Sequence, residues 1–152
     1  MNVVLTQAYI EPGVKFPFSH LMQAWFDREL SALASPSAAF VKKYGPDFNL
    51  VIYLSAKREL TDIEIKGPGV HKKTRDVEYT LFLPFERIIE QTDMCRSALT
   101  LLCAGVTAIF ARAGIDAPDF NSAKQAEIIE HICVAPDMLD GAWPTPRANL
   151  RH

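Results

Sequence analysis

The spacing of apolar positions changes along the chain, and each change marks a new element. Residues 2–10 are apolar enough to form a strand, or an arm packed on the rest, before Pro12, Gly13 and Pro17 break regular structure. Leu21, Trp25, Phe26, Leu30 and Leu33 then recur at helical spacing, with Asp27, Arg28 and Glu29 between them. That pattern predicts a helix over residues 20–33 with Ser19 as its N-cap. Ser35-Pro36 reads as a second start signal, an N-cap followed by proline at the first helical position. It predicts a short helix over residues 36–44, stopped by Gly45-Pro46, with Phe40 and Tyr44 sharing a face.

Period two follows. Residues 49–55 (NLVIYLS) are rich in β-formers and suit a strand covered on both faces. Residues 61–66 (TDIEIK) set Ile63 and Ile65 against Asp62, Glu64 and Lys66. In residues 76–83 (DVEYTLFL), Val77, Tyr79, Leu81 and Leu83 alternate with Glu78, Thr80 and Phe82. Phe82 therefore falls on the outward face, exposed or covered by another element. The short connections predict an antiparallel meander of three to four strands over residues 49–83. Gly67-Pro68-Gly69 reads as a tight exposed turn opening the longer connection.

Pro84 ends the strand run, and a short helical piece over 85–91 is expected to follow. The main helix should run to Ala113 and stop at Gly114. Its middle is apolar almost all round. That run, 97–111, is shorter than the roughly 20 residues that span a bilayer, so it reads as a core helix. Ser122 with Gln125 forms a capping box for a last helix over 123–134, burying Ile128, Ile129 and Ile132. Beyond Pro136 an irregular tail, 136–152, is expected, with Leu139 and Trp143 as anchors. The fold class read from this order is α+β: an antiparallel sheet packed against N-terminal and C-terminal helices, in a single domain over 1–152.

Charge refines the picture. The net charge of −2 argues against a dedicated nucleic-acid binder. The distribution is uneven, however. Lys66, His71, Lys72, Lys73 and Arg75 make the densest cationic stretch. From Asp116 to Asp140 there are six acids, Asp116, Asp119, Glu127, Glu130, Asp137 and Asp140, against Lys124 alone, which makes the C-terminal third acidic there. Solvated surface is the plain reading of both, and attraction of a complementary partner is the functional one. Cys95, Cys103 and Cys133 sit in apolar stretches and read as buried thiols of a reducing compartment. No secretory signal is legible at the N-terminus, so a cytoplasmic protein without membrane attachment is expected.

No nucleophile–base pair, zinc spacing or phosphate loop stands out. His131 and Cys133 fall on different helix faces, and His20, His71 and His152 lie outside any motif. Glu86 and Glu90, one turn apart, read as a solvated stripe beside Arg87. Pro68 removes a backbone donor that a phosphate cradle would need. The expectation is therefore a protein that is not an enzyme and has no cofactor and no metal.

The stretch 66–85, KGPGVHKKTRDVEYTLFLPF, followed by RIIEQ, resembles small bacterial immunity proteins encoded beside polymorphic toxins, including those of contact-dependent growth inhibition. The resemblance covers about half the chain and carries no active-site residues. It implies a cytoplasmic inhibitor that binds one cognate protein toxin and blocks it. Contact candidates are Lys66, His71, Lys72, Lys73, Arg75, Glu78 and Phe82 on one side, and Asp116, Asp119, Glu127 and Glu130 on the other. A cationic nuclease toxin would prefer the acidic set. Two other readings stand beside it. One is a small-ligand or enzymatic domain using His71, Lys72, Arg75 and Tyr79 in a cleft between sheet and helices. The other is an oligomerisation or adaptor domain; the sequence sets no oligomeric state.

Overall fold

Leu50, Ile52, Leu54 and Ala56 are buried at alternate positions, and so are Val77, Tyr79, Leu81 and Leu83. Period two places each set on one face of a strand. In the computed structural model of the chain, which describes residues 1–7, 20–89, 94–116 and 119–132, these two strands lie side by side and carry the core. The described elements are β1 (Val3–Gln7), α1 (His20–Leu33), β2 (Ser35–Pro36), α2 (Ala38–Tyr44), β3 (Asn49–Lys57), β4 (Glu64–His71), β5 (Asp76–Pro84), α3 (Phe85–Ile89), α4 (Met94–Ala113), β6 (Ile115–Asp116) and α5 (Ser122–Ile132). The expected tail over 136–152 lies outside the described residues.

The main sheet runs β1-β3-β5-β4. It is mixed, which corrects the expected antiparallel meander. β1 and β5 both pair with β3 in parallel, and β4 alone is antiparallel, to β5. The chain leaves β3, passes over the position of β5 to form β4 at the edge, and turns back into the gap. Strand composition explains the order. The two most apolar strands take the centre, where a parallel pair is covered. The polar strand with Gly-Pro-Gly goes to an edge, where a proline costs no ladder bond.

β4 also differs from the expected strand over 61–66. It begins at Glu64 and continues through Gly67-Pro68-Gly69 to His71. The glycine-proline stretch is thus not the turn. It forms an irregularity between Lys66, opposite Thr80, and Gly69, opposite Glu78. Gly67 is needed there. Its φ is +127°, and an added Cβ would lie 2.8 Å from the Glu78 carbonyl oxygen. The turn itself is formed by Lys72, Lys73, Thr74 and Arg75.

The far edge is closed by side chains of α1. The Val3 N–H donates to Ser31 Oγ (2.9 Å), whose hydroxyl donates back to the Val3 carbonyl (3.1 Å). The Leu5 N–H donates to Asp27 Oδ1 at 2.6 Å. Phe26 and Leu30 of the same helix are fully buried. α1 therefore packs on the core and also occupies the outward backbone groups of β1. Burial raises the pKa of Asp27, and the Leu5 hydrogen bond opposes that rise without cancelling it.

α4 lies over β5. Ala98, Leu99, Leu102, Cys103, Val106, Ile109, Phe110 and Ala113 are buried, a broad stripe that matches the expected core helix. Its segment Arg96–Ala113 is long and apolar enough to cross a bilayer by length and composition, and half of it is buried inside the fold. Gly105 permits close approach, because a Cβ there would overlap the Leu81 side chain. Gly114 ends the helix at φ +77°, as expected.

Two caps move by one or two residues. Ser37, not Ser35, caps α2, and its Oγ accepts from the Phe40 N–H at 3.1 Å. Ser35-Pro36 instead pairs with Ile115-Asp116 as a two-stranded ladder. Asn121, not Ser122, caps α5, with Oδ1 accepting from the Lys124 N–H at 2.9 Å. Gln125 reaches back to the Phe120 carbonyl (2.8 Å) and accepts from the Thr100 hydroxyl (3.2 Å). Ile128 is fully buried and Ile129 partly so.

Two stability outcomes follow. Because folding raises the Asp27 pKa, its stabilising contribution is full below the unfolded value and is lost as pH rises through the folded value. Asp27→Asn keeps the acceptor for Leu5 without the buried charge. It should be at least as stable as the parent at pH 7, with an advantage that shrinks as pH falls toward about 4. Urea midpoints across that range would check this, and an advantage that grows on acidification would refute it. Gly105→Val should lower stability by about 2 kcal/mol through overpacking against Leu81. An unchanged midpoint would mean that α4 and β5 do not meet as described.

Candidate functional site

Side chains on the core face of the sheet are covered by helices. On the other face Val51, Tyr53, Glu78 and Thr80 remain partly accessible, and Val4 is 38 % exposed. The Tyr53 hydroxyl donates to Glu78 Oε1 at 3.4 Å. Burial first, and then the Glu78 charge, raise the Tyr53 pKa, so the hydroxyl stays protonated as a donor.

Phe82 stands on this outer face, as its period requires, yet it is only 5 % exposed. Two ammonium groups cover it: Lys57 Nζ lies 5.4 Å from the ring centroid and Lys66 Nζ 5.3 Å. Glu64 holds both lysines, at 3.9 and 4.0 Å. The arrangement is a charged lid over an aromatic ring, with the lysine stems supplying apolar cover. Phe82 is thus the covered residue of the two expected cases, and it offers no open stacking surface.

The cationic residues of the β4–β5 hairpin come together as expected. His71, Lys72, Lys73 and Arg75 are all exposed around its turn. His71 Nδ1 accepts from the Thr74 N–H at 3.2 Å, which fixes the ring within the turn. Arg75 adopts a left-handed backbone with φ 55°, and its carbonyl accepts from the Asn49 N–H at 2.8 Å. That bond ties the turn to the start of β3. Tyr79 does not join this group. It is 2 % exposed and lies on the opposite, core-facing side of β5. The cleft of His71, Lys72, Arg75 and Tyr79 is therefore not assembled.

The acidic candidates sit elsewhere. Asp116, Asp119, Glu127 and Glu130 are exposed on β6, the segment before α5, and α5 itself. Glu127 pairs with Lys124 at 3.6 Å, one helical turn away. Asp137 and Asp140 lie outside the described residues. Glu86 pairs with Arg58 at 3.8 Å, and Glu90 lies outside the described residues. Burial pushes the Cys103 thiol up to about 12, so it stays protonated at neutral pH. The Cys95 side chain and Cys133 lie outside the described set, as do the side chains of His20 and His131, and His152.

Open grooves are lined by described residues on the helical side. One, of about 300 Å³, is lined by Arg87, Ile88, Arg96, Ser97, Thr100 and Leu101. Another, of about 500 Å³, lies between α4 and α5 and is lined by Cys103, Thr107, Asp119, Phe120 and Gln125 among others. Neither includes a hairpin cation. Among the described residues, no group of three or more His, Cys, Asp or Glu is placed to hold a metal ion.

The sequence reading missed the neighbours of the hairpin turn. Lys43 Nζ lies 5.2 Å from the Tyr44 ring centroid, the Tyr44 and Phe48 rings are 6.1 Å apart, and the Arg75 guanidinium is 6.0 Å from Phe48. This chain of contacts joins the end of α2 to the hairpin. In sequence, Lys42 and Lys43 are simply last-turn lysines that complement the helix dipole. Only the contact through Phe48 gives them a second setting.

Compared with known family models, curated proteins and solved structures, the chain matches none.

The Phe82 lid makes a measurable claim. Phe82→Ala should cost about 3 kcal/mol in urea unfolding, the loss typical of a buried phenylalanine rather than a surface one. A cost below about 1 kcal/mol would place the ring in solvent instead.

Proposed function

We propose that the chain works by recognising another protein, and that its role is that of a cytoplasmic immunity protein which binds a cognate bacterial toxin domain and blocks it. The observation that carries this reading is the β4–β5 hairpin. Its outer strand is exposed from Lys66 to His71, while its inner strand is anchored by the buried Val77, Tyr79, Leu81 and Leu83. A charged surface is thereby held on a rigid support, which suits selective docking of a folded partner. The same stretch, through the start of α3, carries the resemblance to immunity proteins.

The sheet edges favour docking through side chains over strand addition. Ser31 and Asp27 occupy the β1 edge, and the Gly67-Pro68 irregularity interrupts β4. On this reading the protein acts by occlusion and performs no reaction of its own.

Co-expression with the product of the adjacent gene gives the test. The expected result is a stable co-purifying complex and restored growth of cells producing that toxin. With neither complex nor rescue, the role is wrong.

A further inference from the structure

Arg28, Arg87 and Arg112 stand singly without an ion pair among the described residues, whereas five further exposed cations gather at one end. Lys57, Lys66, Arg58 and Lys124 each have a carboxylate within 4.0 Å. Lys42, Lys43, Lys72, Lys73 and Arg75 are all exposed, and none of them forms an ion pair among the described residues. Two segments distant in sequence supply them, the last turn of α2 and the hairpin turn. The Lys43–Tyr44–Phe48–Arg75 run of ring contacts fastens those segments together. The same segments carry only two carboxylates, Asp47 and Asp76. Beside the turn, Val70 is 45 % exposed, which adds an apolar contact to the charged rim.

We infer that this end of the molecule is a docking surface for an acidic patch on a protein partner. The inference rests on the recognition role proposed above and names the chemistry of the partner. Five unpaired cations in two sequence-distant segments offer complementarity to carboxylates over a surface rather than at a point. The aromatic rings beneath them fix two of the five, Lys43 and Arg75, and so lower the entropy lost on docking. A nucleic acid is the poorer fit. The whole chain carries −2, so a long polyanion is not drawn in from a distance, whereas a compact partner meets only the local cations within a screening length of roughly 8–10 Å. Val70 likewise suits a mixed apolar and acidic protein surface better than a sugar-phosphate backbone.

The test uses the full chain and a fluorescent peptide rich in Glu and Asp, with a single-stranded oligonucleotide of equal charge in parallel. The peptide should bind more tightly than the oligonucleotide. The double variants Lys42→Glu/Lys43→Glu and Lys72→Glu/Lys73→Glu should each weaken peptide binding about tenfold or more through like-charge repulsion. Lys124→Glu, a reversal away from this end, should leave it unchanged. Should a reversal disturb the fold, the matching Lys→Gln variants at unchanged melting temperature should still weaken binding about threefold. Absent peptide binding, tighter oligonucleotide binding, or indifference to the α2 lysines would each overturn the inference. Growth rescue separates it from the proposed role. If the wild-type chain rescues and a variant reversed at all four lysines rescues equally, this surface is wrong and the role stands. If the wild type fails to rescue while the peptide result holds, the role is wrong and the surface stands.

Discussion

The insertion of β5 between β3 and β4 sets the order of the main sheet and the seat of α4. Its inward side chains, Val77, Tyr79, Leu81 and Leu83, are all at most 2 % exposed, and the α4 helix can lie close above them because residue 105 is glycine. With β5 central, β4 becomes an edge strand and the hairpin turn comes to rest beside the start of β3. The Asn49–Arg75 hydrogen bond fixes that meeting point, and Phe48 is the apolar residue immediately before it. The position of the cationic turn is thus a consequence of the same packing that forms the core.

Polar groups do structural work at three places around this frame. Asp27 and Ser31 close the β1 edge, where unpaired backbone groups would otherwise invite another strand. Glu64 organises Lys57 and Lys66 above Phe82, and their stems help keep an outward aromatic ring from water. Asn121 and Gln125 start α5 and link it to α4 through Thr100. Each of these sites uses up charges or hydrogen-bonding groups that looked like plain solvated surface in sequence. The α2–hairpin end differs in gathering five cations that form no ion pair among the described residues.

Local signals made much of the fold legible. The bounds of α1, the stop at Gly45, the alternation of β3 and β5, the apolar α4 and its end at Gly114 all rest on interactions within a few residues, so the sequence pattern carries them. The misplaced features share a different cause. Ser35-Pro36 has the grammar of a helix start, but Ile115-Asp116 offers it ladder bonds from about eighty positions away. Gly67-Pro68-Gly69 has turn composition, but it bends an edge strand. The candidate site divides the same way. The hairpin cluster was readable because its members are neighbours in sequence. Tyr79 was misassigned to it, and Lys42, Lys43 and Phe48 were overlooked, because strand facing and segment contact are properties of the assembled sheet.

By itself, then, the chain's pattern of residues determines which segments are helical or extended, which side of each strand is apolar, and where charge accumulates, because these depend on short-range sterics and on period. Tertiary structure alone decided that β3 and β5 are parallel neighbours, since backbone ladders accept either direction and strand order follows from which strands most need to be covered on both faces. It alone decided that Phe82 is buried beneath paired lysines, and that the Tyr44 and Phe48 rings link the end of α2 to Arg75 of the hairpin turn. Those outcomes depend on contacts between segments, whose worth appears only once the sheet has formed.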